Sequence, residues 1–270
     1  MVFFSMRKTY KPKIVVITGG SSGIGKLLLE RYELRGDKVY MLSRTNPGDL
    51  ENHIPCDVGD EVMVKAAFAK IAAHEKSIDI LINNAGVGIV GATELLDSEG
   101  VRKCIDVNVL GVFYCCKYAL PIMGRSSKIV NMSSVIAMFA RPFHTIYSAA
   151  KAAVSMFSSG LRMELAHTGI QVTAFCPTGL ATPFSKNRIA ELETNKRYGN
   201  RVKSAHEKVE KRGRMSPEKA AAEIFRKINK RKLKPVYIIG GGFKILCFLQ
   251  RFFPLRFLQW ITIKLYGGKK

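Results

Sequence analysis

At 270 residues, with 47% hydrophobic and 24% charged residues, the chain is long enough to bury a substantial core and too apolar to be disordered throughout. It carries 43 Lys and Arg against 21 Asp and Glu, a formal +22, and the excess is lopsided: residues 1–185 hold 20 basic and 15 acidic residues, residues 186–270 hold 23 and 6. A basic end of that kind fits an anionic membrane surface, an acidic ligand, nucleic acid or a solvated helical face; with no aromatic-basic platform and no recognised reading motif, nucleic acid is not expected.

The opening residues, MVFFSMRK, have too short an apolar run for the central region of a signal peptide, and no small-residue cleavage site follows, so a cytoplasmic protein is expected. Six cysteines (Cys56, Cys104, Cys115, Cys116, Cys176, Cys247) show neither CxxC nor Cys/His metal spacing, and most sit in apolar runs. Buried reduced thiols and no metal site follow from that.

KIVVITGG (13–20) reads as a buried strand ending in glycines. SSGIGKLLLERYELRG (21–36) has helical spacing through Leu27, Leu28 and Leu34 with Gly36 as a stop, and KVYMLSR (38–44) is the next strand. A right-handed crossover sets these two strands side by side and parallel. The glycines fall where strand turns into helix, as T-G-x-x-x-G-x-G from Thr18 to Gly25. Gly19 permits the tight turn, while Gly23 and Gly25 let the helix N-terminus approach a pyrophosphate, which its open N–H groups and dipole favour.

CDV (56–58) and NNAG (83–86) follow at the ends of later strands. With the glycine turn they make the chain resemble the short-chain dehydrogenase/reductase family, from about Lys13 to Thr182 and weakly through KPVYIIGG (234–241). The resemblance implies an α/β fold, a single Rossmann-type doubly wound sheet of seven parallel strands with helices on both faces, and a ligand at the strands' carboxyl ends. It implies dinucleotide contacts from Thr18, Gly19, Ser21, Ser22, Gly23, Ile24 and Gly25, from Asp57 and Val58, and from Asn84, Ala85 and Gly86. At the end of the second strand stand Ser43 and Arg44, not the acidic residue that would hold the ribose of NAD. A guanidinium suits a 2′-phosphate, so NADP(H) is the expected cofactor.

YSAAK puts Tyr147 and Lys151 four residues apart, neighbours on one face of a helix that ends at Gly169. Carbonyl reduction needs a proton donor, and an ammonium beside a phenol of ordinary pKa about 10 is expected to lower it. Tyr147 is thus the expected general acid/base and Lys151 its activator; the resemblance adds that both contact the cofactor. Ser134 lies 13 residues before Tyr147 at the end of the strand SKIVNMSS, the family's spacing for a substrate-orienting serine, a role it takes in place of Ser133. Asn108 in DVNVLGVF matches the helix asparagine that supports a proton relay to the lysine. CPTGLATP (176–183) resembles the nicotinamide loop, with Pro177, Thr178, Gly179 and Thr182 as contacts, although Thr178 interrupts the usual Pro-Gly. His144 is expected to face solvent and His53 to precede the third strand, neither with a chemical role.

Residues 184–215 form a polar, basic insert at the family's substrate-lid position, before a helix begun by Ser216, Pro217 and Glu218. A catalytic domain over 1–242 is then followed by an apolar extension, 243–270, punctuated by Lys244, Arg251, Arg256 and Lys264. Pro254 and the mid-segment arginines disfavour a membrane span. Two amphipathic helices fit better: Ile245, Leu249 and Phe252 align in the first, and Phe257, Ile261 and Leu265 in the second. Such helices suit an anionic membrane surface, a cover over the pocket mouth or a subunit contact.

The expected protein is an NADP(H)-dependent oxidoreductase interconverting a ketone and a secondary alcohol on a bulky hydrophobic substrate, steroid or bile-acid-like first. Long-chain, sphingoid or acyl-thioester ketones, or a non-catalytic nucleotide-binding scaffold, are the alternatives. Family habit implies a homodimer or homotetramer through helices around 100–123 and 147–168.

Overall fold

A computed structural model describes residues 10–180, 184, 188–193, 195–211, 215–240, 247 and 252–267 of the chain. Strands β1 (Ile14–Thr18), β2 (Lys38–Ser43), β3 (His53–Pro55), β4 (Ile78–Asn83), β6 (Met123–Met132), β7 (Gln171–Pro177) and β9 (Val236–Ile239) form one sheet in the order β3-β2-β1-β4-β6-β7-β9. Every pairing is parallel. A separate parallel pair joins β5 (Ile89–Gly91) to β8 (Ile189–Glu191). The seven-stranded doubly wound expectation is met.

Both faces of the sheet are covered, which is why its strands read as continuous apolar runs. Alternation assigns each side chain to a face: Val15, Ile17, Ile80, Ile82 and Phe175 pack with Leu28, Leu29 and Tyr32 of α1 (Gly23–Leu34) and with Ala220, Ile224 and Ile228 of α7 (Pro217–Ile228). Val16, Leu81, Ile129 and Val172 meet Phe68 and Ile71 of α2 (Glu61–His74), Val112 and Cys116 of α4 (Gly111–Ala119), and Val154 and Leu161 of α5 (Thr145–Glu164). Between α3 (Ser98–Ile105) and α4 a π-helical turn, Asp106–Leu110, swells the helix. All six cysteines are buried and free, as expected, and among the described residues no cluster suits a metal.

Helix ends obey local chemistry. Ser216 Oγ accepts the Lys219 N–H at 3.2 Å with Pro217 in the first turn, and Gly36 takes positive φ just beyond α1; α5 corrects its expected end, stopping at Glu164 with Leu165 as its cap, short of Gly169. His53 corrects its expectation: it is the first residue of β3, paired with Met41, and its Nε2 lies 2.9 Å from the Ser43 carbonyl. That hydrogen bond extends the pairing, a role that strand periodicity alone left invisible.

The insert contains β8 and α6 (Arg201–Lys211). Helix α8 (Leu255–Tyr266) ends the described chain. Of the expected stripe, Phe257 and Leu265 are exposed and Ile261 is half-buried. Tyr266 is the buried residue, while Phe257, Trp260, Ile263 and Leu265 are exposed. Lys264 lies over the Trp260 ring at 4.3 Å, so cation and aromatic share the outward face instead of opposite sides. Of the first expected helix, Lys244, Ile245, Leu249 and Arg251 lie outside the described residues.

Candidate active site

The strand order reverses between β1 and β4, and a cleft of about 810 Å³ opens along the carboxyl ends there. One end is built by the glycine turn. Gly19 has φ +64°, and a Cβ on Gly25 would stand 2.2 Å from the Gly19 carbonyl oxygen and 2.4 Å from Asn84 Nδ2. Only glycine fits where α1 presses against that turn. Ser22 caps α1 with no side-chain hydrogen bond and no acidic residue stands in the first turn, so the positive helix end faces the cleft unneutralised. Ser21, Ser22, Gly23 and Ile24 line it beside Gly19. An anion of pyrophosphate kind fits this cradle.

Thr18 and Gly25 shape the turn without lining the cleft. Thr18 Oγ1 accepts the N–H groups of Asn84 and Ala85, each at 3.0 Å, and Asn84 Nδ2 donates to the Gly19 carbonyl at 3.0 Å. The β4 loop is thereby fastened to the glycine turn. Asn84, Ala85, Gly86, Asp57, Val58, Ser43 and Arg44 all line the cleft, as do Pro177, Thr178 and Gly179. Asp57 Oδ1 accepts the Gly59 N–H at 3.0 Å. Thr178 donates its N–H to the Ile239 carbonyl at 3.0 Å, so the departure from Pro-Gly is absorbed by the sheet edge. Thr182 lies outside the described residues.

At the other end Ser134, Tyr147 and Lys151 share a wall. A buried polar chain sets α5 against the sheet: Asn83 Nδ2 donates to Asn131 Oδ1 at 2.8 Å, and Asn131 Nδ2 to Ser158 at 2.9 Å. Ser133 donates to the Lys151 carbonyl at 2.8 Å, which occupies its hydroxyl with α5. Ser134 Oγ accepts the Ile136 N–H at 3.3 Å, leaving its own hydrogen to give. Asn108 is fully buried behind the wall. Its Nδ2 donates to the carbonyls of Val87 at 2.7 Å and Cys104 at 2.8 Å, and its Oδ1 has no partner. Asn108 is the buried residue of the π-helical turn. A Cβ on Gly86 would lie 2.9 Å from Asn108 Oδ1 and 3.5 Å from Lys151 Nζ, so the three meet around one point. An open acceptor beside an ammonium suits a bound water.

The electrostatics differ from the sequence expectation. Burial pushes the Tyr147 phenol above its ordinary value. Burial pulls the Lys151 ammonium down to about 8. Lys151 Nζ donates to the Met132 carbonyl at 3.0 Å and stands 5.8 Å from the Tyr147 ring centre, too far to offset desolvation of the phenol. The cations that act to lower Tyr147 are Arg188 and Arg141.

Those two arginines, with His144 and Phe184, were not foreseen in the wall. His144 corrects its expectation outright: it is 5% exposed, and burial followed by Arg141 pushes it down to about 3. Phe184 stands 5.7 Å from the Tyr147 ring. The available signal was modest: both Phe184 and Arg188 open the insert read as a lid.

The short chain dehydrogenase family model matches residues 13–193. A 3-ketodihydrosphingosine reductase of Bacteroides thetaiotaomicron is 36% identical, over 83% of this chain and 86% of its own. A 3beta-hydroxysteroid dehydrogenase of Mediterraneibacter gnavus is 32% identical, over 68% and 72%. A crystal structure of a short-chain dehydrogenase from Streptomyces avermitilis superposes with TM-score 0.80 and 27% identity, covering 95% of this chain and 98% of that one.

Proposed function

The chain belongs to the short-chain dehydrogenase family, oxidoreductases that bind a nicotinamide cofactor and work between CH–OH and C=O groups, and on that premise we propose that it reduces a ketone on a bulky hydrophobic molecule with NADP(H). The observation that carries this reading is the shared wall of Ser134, Tyr147 and Lys151 facing the glycine turn across one cleft.

When bound, the nicotinamide supplies or accepts the hydride. Tyr147, held as a neutral phenol, donates its proton to the carbonyl oxygen as charge develops there. Ser134 donates a second hydrogen bond to that oxygen. Lys151, whose Nζ lies beside Gly86 and the unpartnered Asn108 Oδ1, reprotonates the phenol. Ser21, Ser22 and the first turn of α1 hold the pyrophosphate.

Arg44 supports NADP(H) over NAD(H). It is exposed on the cleft wall at the end of β2, and no carboxylate pairs with it among the described residues. Val87, Ile89, Ile136, Leu180 and Phe184 give the Tyr147 end an apolar lining suited to a large hydrophobic skeleton. A steroid or bile-acid-like ketone is favoured; a sphingoid ketone is the second reading, supported by the reductase relative named above. In this reading the insert closes over the substrate as a lid.

Enzymes of this family generally act on small substrates and are oligomeric. Exposed Phe113, Met156 and Met163 on α4 and α5 support a homodimer or homotetramer through those helices. The outward face of α8 supports contact with an anionic membrane surface. None of its residues lines the cleft, which weighs against a direct pocket cover. An NADPH-depletion screen of steroid, bile-acid, sphingoid and acyl-thioester ketones tests the reading; no oxidation of NADPH by any of them overturns it.

A further inference from the structure

One polar side chain at the Tyr147 end of the cleft has no part in the proton transfer. His144 lines the cleft three residues before Tyr147 and is 5% exposed. Its Nδ1 is 3.1 Å from the Pro142 carbonyl, which only accepts, so Nδ1 carries the hydrogen. Nε2 is then a bare acceptor, buried with no hydrogen-bond partner among the described residues. Burial pulls the imidazole down to about 3, which keeps Nε2 unprotonated at neutral pH.

The backbone around this ring is closely fixed. The His144 N–H donates to the Arg141 carbonyl at 3.1 Å, and the His144 carbonyl accepts the N–H and the hydroxyl of Ser148 at 2.8 Å each. The preceding Phe143 takes φ +63°, a left-handed conformation that a residue with a Cβ rarely adopts. Packing on Val202 and Ala205 of the insert holds it there, as does the Gly91 N–H, which the Phe143 carbonyl accepts at 2.9 Å. Strain of this kind persists where the surroundings over-determine it.

Folded proteins leave few buried acceptors without a donor, because such an atom forfeits the hydrogen bonds it made in water. A molecule bound in the cleft can supply the missing hydrogen. Residues three apart at the start of a helix lie about 5–6 Å from one another. A donor that meets Nε2 therefore sits within a few bonds of a carbonyl held by Tyr147.

We propose that His144 Nε2 accepts a hydrogen bond from a hydroxyl of the substrate, so that the substrate is a ketone carrying a hydroxyl within a few bonds of the reacting carbonyl. This inference rests on the ketone-reduction reading and narrows it. Hydroxylated members of the steroid and sphingoid classes fit. A ketone standing alone on an apolar skeleton does not, because it leaves Nε2 buried and unsatisfied.

Two matched pairs test it with NADPH: a long-chain β-hydroxy ketone against the same ketone lacking the hydroxyl, and a vicinal hydroxy-oxo steroid against its deoxy counterpart. The hydroxylated member of at least one pair is expected to have kcat/KM at least about tenfold higher, and which pair shows it identifies the skeleton. His144→Phe, which has no acceptor, brings that ratio toward one, and His144→Gln, which keeps one near the position of Nε2, retains part of it. Ratios near one in both wild-type pairs, or a ratio untouched by His144→Phe, overturn the proposal; the wild-type comparison holds even where a variant fails to fold. Calorimetric titration of the same pairs onto the NADP+-loaded protein separates the two readings. A tenfold affinity preference without turnover upholds the His144 contact and overturns ketone reduction; equal affinities with turnover at equal kcat/KM do the reverse.

Discussion

The amide oxygen of Asn108 points at Gly86 so closely that a single added methyl on the glycine would stand 2.9 Å from it. Gly86→Ala therefore displaces the amide or the loop. Overpacking of this kind costs about 1–3 kcal/mol. Since the added methyl would also touch Lys151 Nζ at 3.5 Å, kcat is expected to fall at least about tenfold while the circular dichroism spectrum stays native. Steady-state kinetics on the alanine variant check this, and an unchanged kcat removes the Asn108 amide from the proton path.

Tyr147→Phe removes the proton donor and little else, since the ring keeps its contact with Phe184. Turnover is expected to drop by roughly 10²–10⁴-fold. NADPH affinity, followed by fluorescence titration, should stay within a few-fold of wild type.

Arg44→Asp replaces a cation on the cleft wall by an anion. The variant should bind NADPH roughly ten- to a hundredfold more weakly, the worth of a charged hydrogen bond to phosphate, and NADH no more weakly than wild type. Parallel titrations of the two dinucleotides decide it; equal losses for both would show that Arg44 does not read the 2′-phosphate.

Lys128 offers a pH signature. Its buried ammonium donates to the carbonyls of Ile228 and Lys230 at 2.8 Å each, closing the end of α7, and burial pulls it down to about 8. Between pH 8 and the ordinary value near 10.4 the unfolded chain keeps a proton that the folded chain has released, so this residue's contribution to stability rises with pH across that window and is flat below it. The Tm difference between wild type and Lys128→Met is expected to widen in favour of wild type from pH 8 to pH 10. A constant difference contradicts the shift.

Phe257 and Trp260 stack 6.1 Å apart on the outward side of α8 with Lys264 over the indole. Vesicles of phosphatidylcholine with anionic phosphatidylglycerol should co-sediment the protein at low salt, and pure phosphatidylcholine should do so less. Phe257→Ser with Trp260→Ser is expected to lower partitioning about tenfold or more. Equal partitioning of variant and wild type would assign this face to another partner.

The amino-acid sequence by itself determined the doubly wound sheet, the glycine turn and the trio Ser134, Tyr147 and Lys151. The glycine turn and the step from Tyr147 to Lys151 are written in neighbours along the chain, a turn that only glycine fits and four residues on one helix, whereas the seven-stranded sheet and Ser134 were what the family resemblance implied. Tertiary structure alone decided which way Tyr147 titrates, that His144 is buried, that Arg141 and Arg188 share its wall, and which side of α8 faces out. These depend on desolvation and on charges brought together from segments over 40 residues apart in the chain, Arg141 before α5 and Arg188 before β8, and no local spacing encodes how much water such a meeting expels.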